Sequence, residues 1–85
     1  MFYKVKDVKP LDKYILLVTF ENSINKYYDL KPLFDKWQSF RLLENNNELY
    51  LNVKVDKGGY GISWNEEIDI SCNELWENGK ENLDV

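Results

Sequence analysis

The sequence predicts an α+β domain in which a small curved antiparallel β-sheet of about five to six short strands packs with two short helices, in the order βββα-βββα. Three observations carry this prediction. Runs of β-branched and aromatic residues alternate with polar or glycine-rich turns at short spacing. Two stretches place apolar residues at helical spacing behind capping residues. The chain has 85 residues, which leaves room for one hydrophobic core and no second folding unit. A single domain over residues 1–85 is expected, with residues 80–85 as a frayed acidic tail.

Residues 2–9 (FYKVKDVK) read as a first strand that ends at Pro10, because proline cannot donate to a sheet ladder. After the connection Leu11, Asp12 and Lys13 comes Tyr14 to Phe20 (YILLVTF). Both of its alternate faces are largely apolar, which predicts a central, well-covered strand. Glu21, Asn22 and Ser23 make a polar turn, and Ile24 to Tyr28 (INKYY) return as the hairpin partner. Asp29 then sits where an N-cap is needed, ahead of Pro32, for a short helix over Lys31 to Trp37. Leu30, Leu33, Phe34 and Trp37 should face the core from it.

Residues 38–48 are polar and Asn-rich, but Phe40, Leu42 and Leu43 predict an irregular segment pinned to the core. The clearest alternation follows, with Leu49, Leu51, Val53 and Val55 on one side and Tyr50, Asn52, Lys54 and Asp56 on the other. This predicts a half-buried strand. Asp56, Lys57, Gly58 and Gly59 read as a turn in which glycines take positive φ. The chain returns through Tyr60 to Trp64, turns at Asn65 to Glu67 and gives a last strand at Ile68 to Ile70. Ser71 with Glu74 three residues later is a capping-box spacing, and Gly79 is placed as the C′ residue. A two-turn helix is therefore expected over Cys72 to Asn78, anchored by Leu75 and Trp76.

Composition excludes several classes of function. The net charge of −4 is unevenly spread. Residues 1–65 carry ten Lys or Arg against eight acids, whereas residues 66–85 set Lys80 against Glu66, Glu67, Asp69, Glu74, Glu77, Glu81 and Asp84. The basic residues form no dense run, so direct binding to DNA or RNA is not expected. The longest apolar runs fall far short of the roughly 20 residues that cross a bilayer, and no membrane span is expected. Cys72 is the single cysteine and cannot form an internal disulfide, and no signal-peptide pattern opens the sequence. Both point to a reducing cytoplasm.

Catalytic and metal chemistry has few places to reside. With no histidine in the chain, Ser-His-Asp and Cys-His nucleophilic sites cannot form, and one cysteine cannot complete a zinc set. Cys72 reads as a small buried apolar residue. Lys57-Gly58-Gly59-Tyr60-Gly61 leads into a strand and not into a helix, so it reads as a β-turn and not as a phosphate cradle. Glu66, Glu67 and Asp69 lack the fixed glycine and glutamate of a calcium loop and read as a solvated turn. No catalytic residue, cofactor-binding residue or metal ligand is expected, and the protein is expected not to be an enzyme. Aromatic residues remain in excess, among them Tyr27, Tyr28, Trp37, Phe40, Tyr50, Tyr60, Trp64 and Trp76. Any that share an exposed patch would mark an interaction surface, because Trp and Tyr are enriched at binding hot spots.

Taken in order, Val5 to Pro10 with Tyr14 to Phe20, Tyr27-Tyr28-Asp29-Leu30, Phe40-Arg41-Leu42-Leu43, Gly61-Ile62-Ser63-Trp64, Ile68-Asp69-Ile70-Ser71 and a terminal Leu75-Trp76 helix resemble a family of small bacterial proteins. It is catalogued as domain of unknown function 2442, and the resemblance runs from about Val5 to Gly79. Where that family often has Asp-Gly in two turns, this chain has Glu21-Asn22-Ser23 and Asn65-Glu66-Glu67. The resemblance implies a small β-rich sheet on short helices and no known activity. Relatives are often described as components of toxin-antitoxin pairs or as modules ahead of a helix-turn-helix DNA-binding domain, and with the chain ending at Val85 no DNA-reading module is expected here. The expectation is a non-enzymatic protein-binding module that takes a basic partner protein, with Glu74, Glu77, Glu81, Trp37 and Trp76 as partner-binding residues. The alternative is a ligand-sensing or regulatory domain. Self-association is open.

Overall fold

Two hairpins meet on one core. In the structure, a computed structural model that describes residues 2–82, the strand β2 (Ile15–Phe20) lies between β1 (Val5–Pro10) and β3 (Asn25–Asp29) in an antiparallel sheet of order β1-β2-β3. Leu16, Val18 and Phe20 on one face of β2 are completely buried, whereas Ile15, Leu17 and Thr19 on the other are only half-covered. Period-two alternation therefore sets the core face, although both faces are apolar. The β2-β3 turn closes through the Phe20 amide on the Ile24 carbonyl at 2.9 Å, with Ser23 at a φ of 73°.

A second antiparallel sheet has the order β4-β5-β6, from β4 (Lys54–Val55), β5 (Gly61–Ser63) and β6 (Asp69–Ser71). The predicted single sheet is thus two three-stranded sheets, with β1 packing against β4 and β5 where they meet. One hydrophobic cluster joins both, since Val5, Leu16, Val18, Phe20 and Tyr28 pack with Ile62, Trp64, Ile68 and Ile70. The turn between β4 and β5 uses its glycines as expected, with Gly58 and Gly59 at φ of 82° and 79°. Gly59 is irreplaceable on a second count, because a Cβ there would lie 2.7 Å from the Val5 carbonyl oxygen.

Three short helices complete the fold: α1 (Lys31–Lys36), α2 (Asn47–Tyr50) and α3 (Cys72–Asn78). The N-cap of α1 is Leu30 and not the expected Asp29, although the Asp29 Oδ1 accepts from the Lys31 amide at 3.0 Å; Leu30 and, within the helix, Phe34 are buried. Trp37, expected on the core face, is 53% exposed. The helix stops at Lys36, and Trp37 takes extended dihedrals that turn its ring away. Residues 38–43 wind into a 3-10 helix that buries Phe40 and Leu43 and leaves Leu42 outside.

The largest departure lies at residues 49–55, where an extended strand was expected. Asn46 instead caps α2, its side chain accepting from the Leu49 amide at 3.2 Å, and only Lys54–Val55 are strand. Leu49, Val53 and Val55 still pack against the core as expected, but two neighbours change places: Leu51 is 54% exposed, whereas Tyr50 is buried. Its hydroxyl donates to the Leu11 carbonyl at 2.6 Å, and its own carbonyl accepts from the Trp64 indole at 3.0 Å. These long-range bonds outweigh a local alternation. Helix α3 matches its expected range, with the Ser71 hydroxyl accepting from the Glu74 amide at 3.2 Å. Gly79 follows it at a φ of −72°, so it is not a left-handed C′ residue. Its amide donates to the Leu75 carbonyl at 2.9 Å, and a Cβ there would collide with that same carbonyl and then with the Lys26 side chain. Lys80, expected to fray, pairs by its backbone with Tyr27 of β3. Residues 83–85 of the expected acidic tail, Asp84 among them, lie outside the described residues.

Candidate functional site

Helix α1 and the 3-10 helix after it form one wall of a surface groove, and β3, β6 and the start of α3 form the other. The groove consists of two clefts that share Leu33, Lys36 and Glu74. The first, about 430 Å³, runs along β3 between Tyr28, Pro32 and Asn78. The second, about 380 Å³, runs along β6 between Trp37, Phe40 and Asp69. A third, smaller cleft lies apart, beside Tyr14 and Tyr50.

Glu74 stands at the junction, held in place from two elements. Its Oε2 accepts from the Tyr28 hydroxyl at 2.7 Å and from the Asn78 side-chain amide at 2.9 Å. In a capping box this carboxylate would return to the Ser71 amide. Here the Ser71 half of the box forms, and the glutamate turns to β3 instead. Burial, the hydrogen bond to Glu74 and the charges of Glu74 and Asp29 push the Tyr28 phenol well above its usual range. The phenol is therefore a hydrogen-bond donor at neutral pH and not a base.

The electrostatics of the second cleft are one-sided. Glu67, Asp69 and Glu74 line it, with Lys36 as the one cation among its described lining residues. None of the three acids takes part in an ion pair among the described residues; the pairs there are Lys31 with Asp29, and Arg41 with Asp35 and Glu44. The exposed Trp37 ring lines this acidic cleft, with the Lys36 ammonium 5.9 Å from its centroid.

The expected partner-binding residues divide into two groups. Trp37 and Glu74 line the same cleft. Glu77 and Glu81 are exposed but line none of the three clefts. Trp76 is partly buried against the core and lines none of the three clefts: its ring stacks on Tyr3 at 3.7 Å, meets Phe20 edge-on at 5.0 Å, and carries the Lys26 ammonium 4.0 Å above it. Sequence reasoning missed Tyr28, Asn78 and Lys36 as groove residues. Tyr28 is tied to Glu74 by a contact that no local spacing announces, since the two stand 46 positions apart, whereas Asn78 meets Glu74 at the i,i+4 spacing of one helix.

Cys72 is 1% exposed and belongs to the core. Among the described residues no group of three or more His, Cys, Asp or Glu is arranged to hold a metal ion. No helix of the described residues is long and apolar enough to cross a membrane.

No curated protein and no solved structure matches the chain. The family model for DUF2442, described as a protein of unknown function, matches residues 5–81. That range begins with β1 and includes both sheets, all three helices and the Lys80 bridge that closes β3. The chain belongs to the DUF2442 family.

Proposed function

We propose that this domain is a non-enzymatic protein-binding module, one half of a two-protein pair of the toxin-antitoxin kind, and that it docks its partner in the groove between α1 and β6. The observation that carries the docking half is the second cleft itself. It sets an exposed tryptophan and an apolar floor of Leu33 and Phe40 beside three carboxylates without ion-pair partners. Interfaces use aromatic anchors for affinity and charge for steering, and this cleft supplies both for a basic partner. The two-protein part rests on the family resemblance.

The test is to co-express the chain with the product of the adjacent gene and to measure association between 0.05 and 0.5 M salt. The expected result is a complex whose association rate falls with salt and falls about tenfold in the triple variant Glu67→Gln, Asp69→Asn, Glu74→Gln. Trp37→Ser should raise the dissociation rate. Glu77→Gln with Glu81→Gln should do little by comparison. A complex indifferent to the cleft variants would place the docking surface elsewhere.

A ligand-sensing domain is the second reading, and the first cleft favours it. Its volume falls within the range of small-molecule sites, and Tyr28, Glu74 and Asn78 converge on it. A sensor would gain thermal stability from a small polar ligand, and Asn78→Ala would abolish the gain while Trp37→Ser would not.

A further inference from the structure

The backbone hydrogen bonds of β6 leave one edge open. The Trp64 amide donates to the Ile68 carbonyl at 3.0 Å, the Cys72 amide to the Tyr60 carbonyl at 2.8 Å, and the register pairs Ile62 with Ile70. Antiparallel ladders alternate bonded and non-bonded pairs. Ile70 therefore directs its amide and carbonyl to β5, while Asp69 and Ser71 direct theirs away from it. On the other side of β5, Gly61 serves β4, its carbonyl accepting from the Asp56 amide at 2.9 Å. Strand β6 is an outer strand of its sheet. Among the described residues, no hydrogen bond takes up the Asp69 amide and carbonyl or the Ser71 amide.

Two of the other outer edges are managed. On β3, Tyr27 gives and receives backbone bonds with Lys80 at 2.6 and 2.8 Å. Strand β1 carries Lys6, Lys9 and Pro10 and an irregularity between Val5 and Asp7, features that blunt an edge. Among the described residues β6 is short and carries the acidic Asp69, but no lysine, proline, irregularity or pairing segment blunts its edge. Its edge instead forms a wall of the second cleft, opposite Leu33, Trp37 and Phe40.

We infer that β6 is a strand-addition site: an extended, basic segment of the partner protein enters the second cleft and adds a fourth strand to β4-β5-β6. This inference rests on the docking reading above and specifies its geometry. Three residues of edge offer roughly 10 Å of ladder. Main-chain bonds to Asp69 and Ser71 supply affinity, and alternate side chains of the added strand reach the apolar wall. Glu67, Asp69 and Glu74 select arginine or lysine, and the Trp37 ring offers a guanidinium a face to stack on. A helical partner would leave the outward amides of β6 unpaired within the interface, which disfavours it.

The experiment uses the full chain, labelled with 15N, and an acetylated hexapeptide of alternating valine and arginine. Two N-methylated isomers accompany this parent, one methylated on its odd amides and the other on its even amides. Because only every second amide of an added strand faces β6, one isomer should lose at least tenfold in affinity and the other should bind like the parent. The parent should shift the Asp69 and Ser71 amides and the Trp37 indole, and slow exchange of the Asp69 amide. Asp69→Pro removes an amide that the sheet does not use, so the fold should survive while binding falls at least tenfold; Asp69→Asn should lose only a few-fold. If both isomers behave alike while Trp37 and Glu74 still shift, strand addition is wrong and the docking groove stands. If no peptide shifts any residue of the cleft at millimolar concentration, the docking reading falls with it.

Discussion

The hydroxyl of Tyr28 donates to the carboxylate of Glu74 at 2.7 Å, tying β3 to α3 at the point where the two surface clefts join. A hydrogen bond to a charged acceptor in a partly buried place contributes about 1.5 to 3 kcal/mol. In a double-mutant cycle with Tyr28→Phe and Glu74→Ala, urea unfolding should give a coupling energy of about 1.5 kcal/mol. A coupling near zero would mean that α3 is positioned by Leu75 and Trp76 alone.

Two phenols make stability fall in alkali. Burial pushes the Tyr50 hydroxyl up to about 12, and the Tyr28 hydroxyl is raised further. In the unfolded chain both titrate near 10, so above that pH the unfolded state binds fewer protons than the native one. Their stabilising contribution is fully present below pH ~10 and is lost as pH rises through the folded values. The melting temperature should therefore drop between pH 10 and 12, and Tyr28→Phe should flatten the drop. Phenolate absorbance from these two residues should arrive together with unfolding.

Trp37 and Trp76 should respond in opposite ways to removal. Trp37→Ala touches an exposed ring and should change stability by no more than about 0.5 kcal/mol. Trp76→Ala deletes the ring between Tyr3, Phe20 and Lys26 and should cost about 3 kcal/mol. Chemical denaturation of the two variants side by side decides the matter. Equal effects would contradict the assignment of one to the surface groove and the other to the fold.

Neighbouring glycines in the β4-β5 turn should differ. Both occupy the left-handed region, which costs a residue with a side chain about 1 to 2 kcal/mol. At Gly58 the added methyl would meet only the exposed Tyr60 ring, which can move. At Gly59 it would meet the backbone of β1 at Val5. Gly59→Ala should therefore destabilise clearly more than Gly58→Ala, measured by thermal unfolding, and β1 should show the faster amide exchange in the former.

What the sequence by itself determined was local. The strand β2, though not which of its two apolar faces meets the core, the glycine turn at residues 56–59 and the full extent of α3 were legible because each depends on residues within a few positions. A run of β-branched and aromatic residues favours a strand, a positive φ selects glycine, and Ser71 caps the amide three residues ahead. The membership of the chain in its family was legible too, through the ordered set of these same segments. Tertiary structure decided the rest. Residues 49–53 follow the polar hydrogen bonds of Tyr50 to Leu11 and of Trp64 to Tyr50, which lie 39 and 14 positions away and outweigh the local alternation. Trp37 is turned outward because α1 ends at Lys36 and Trp37 takes extended dihedrals. The groove exists only where α1 stands apart from β6, and the open edge of β6 only because the strands divide into two sheets. Neither is a property of any one segment, since each depends on how separate segments are spaced against one another.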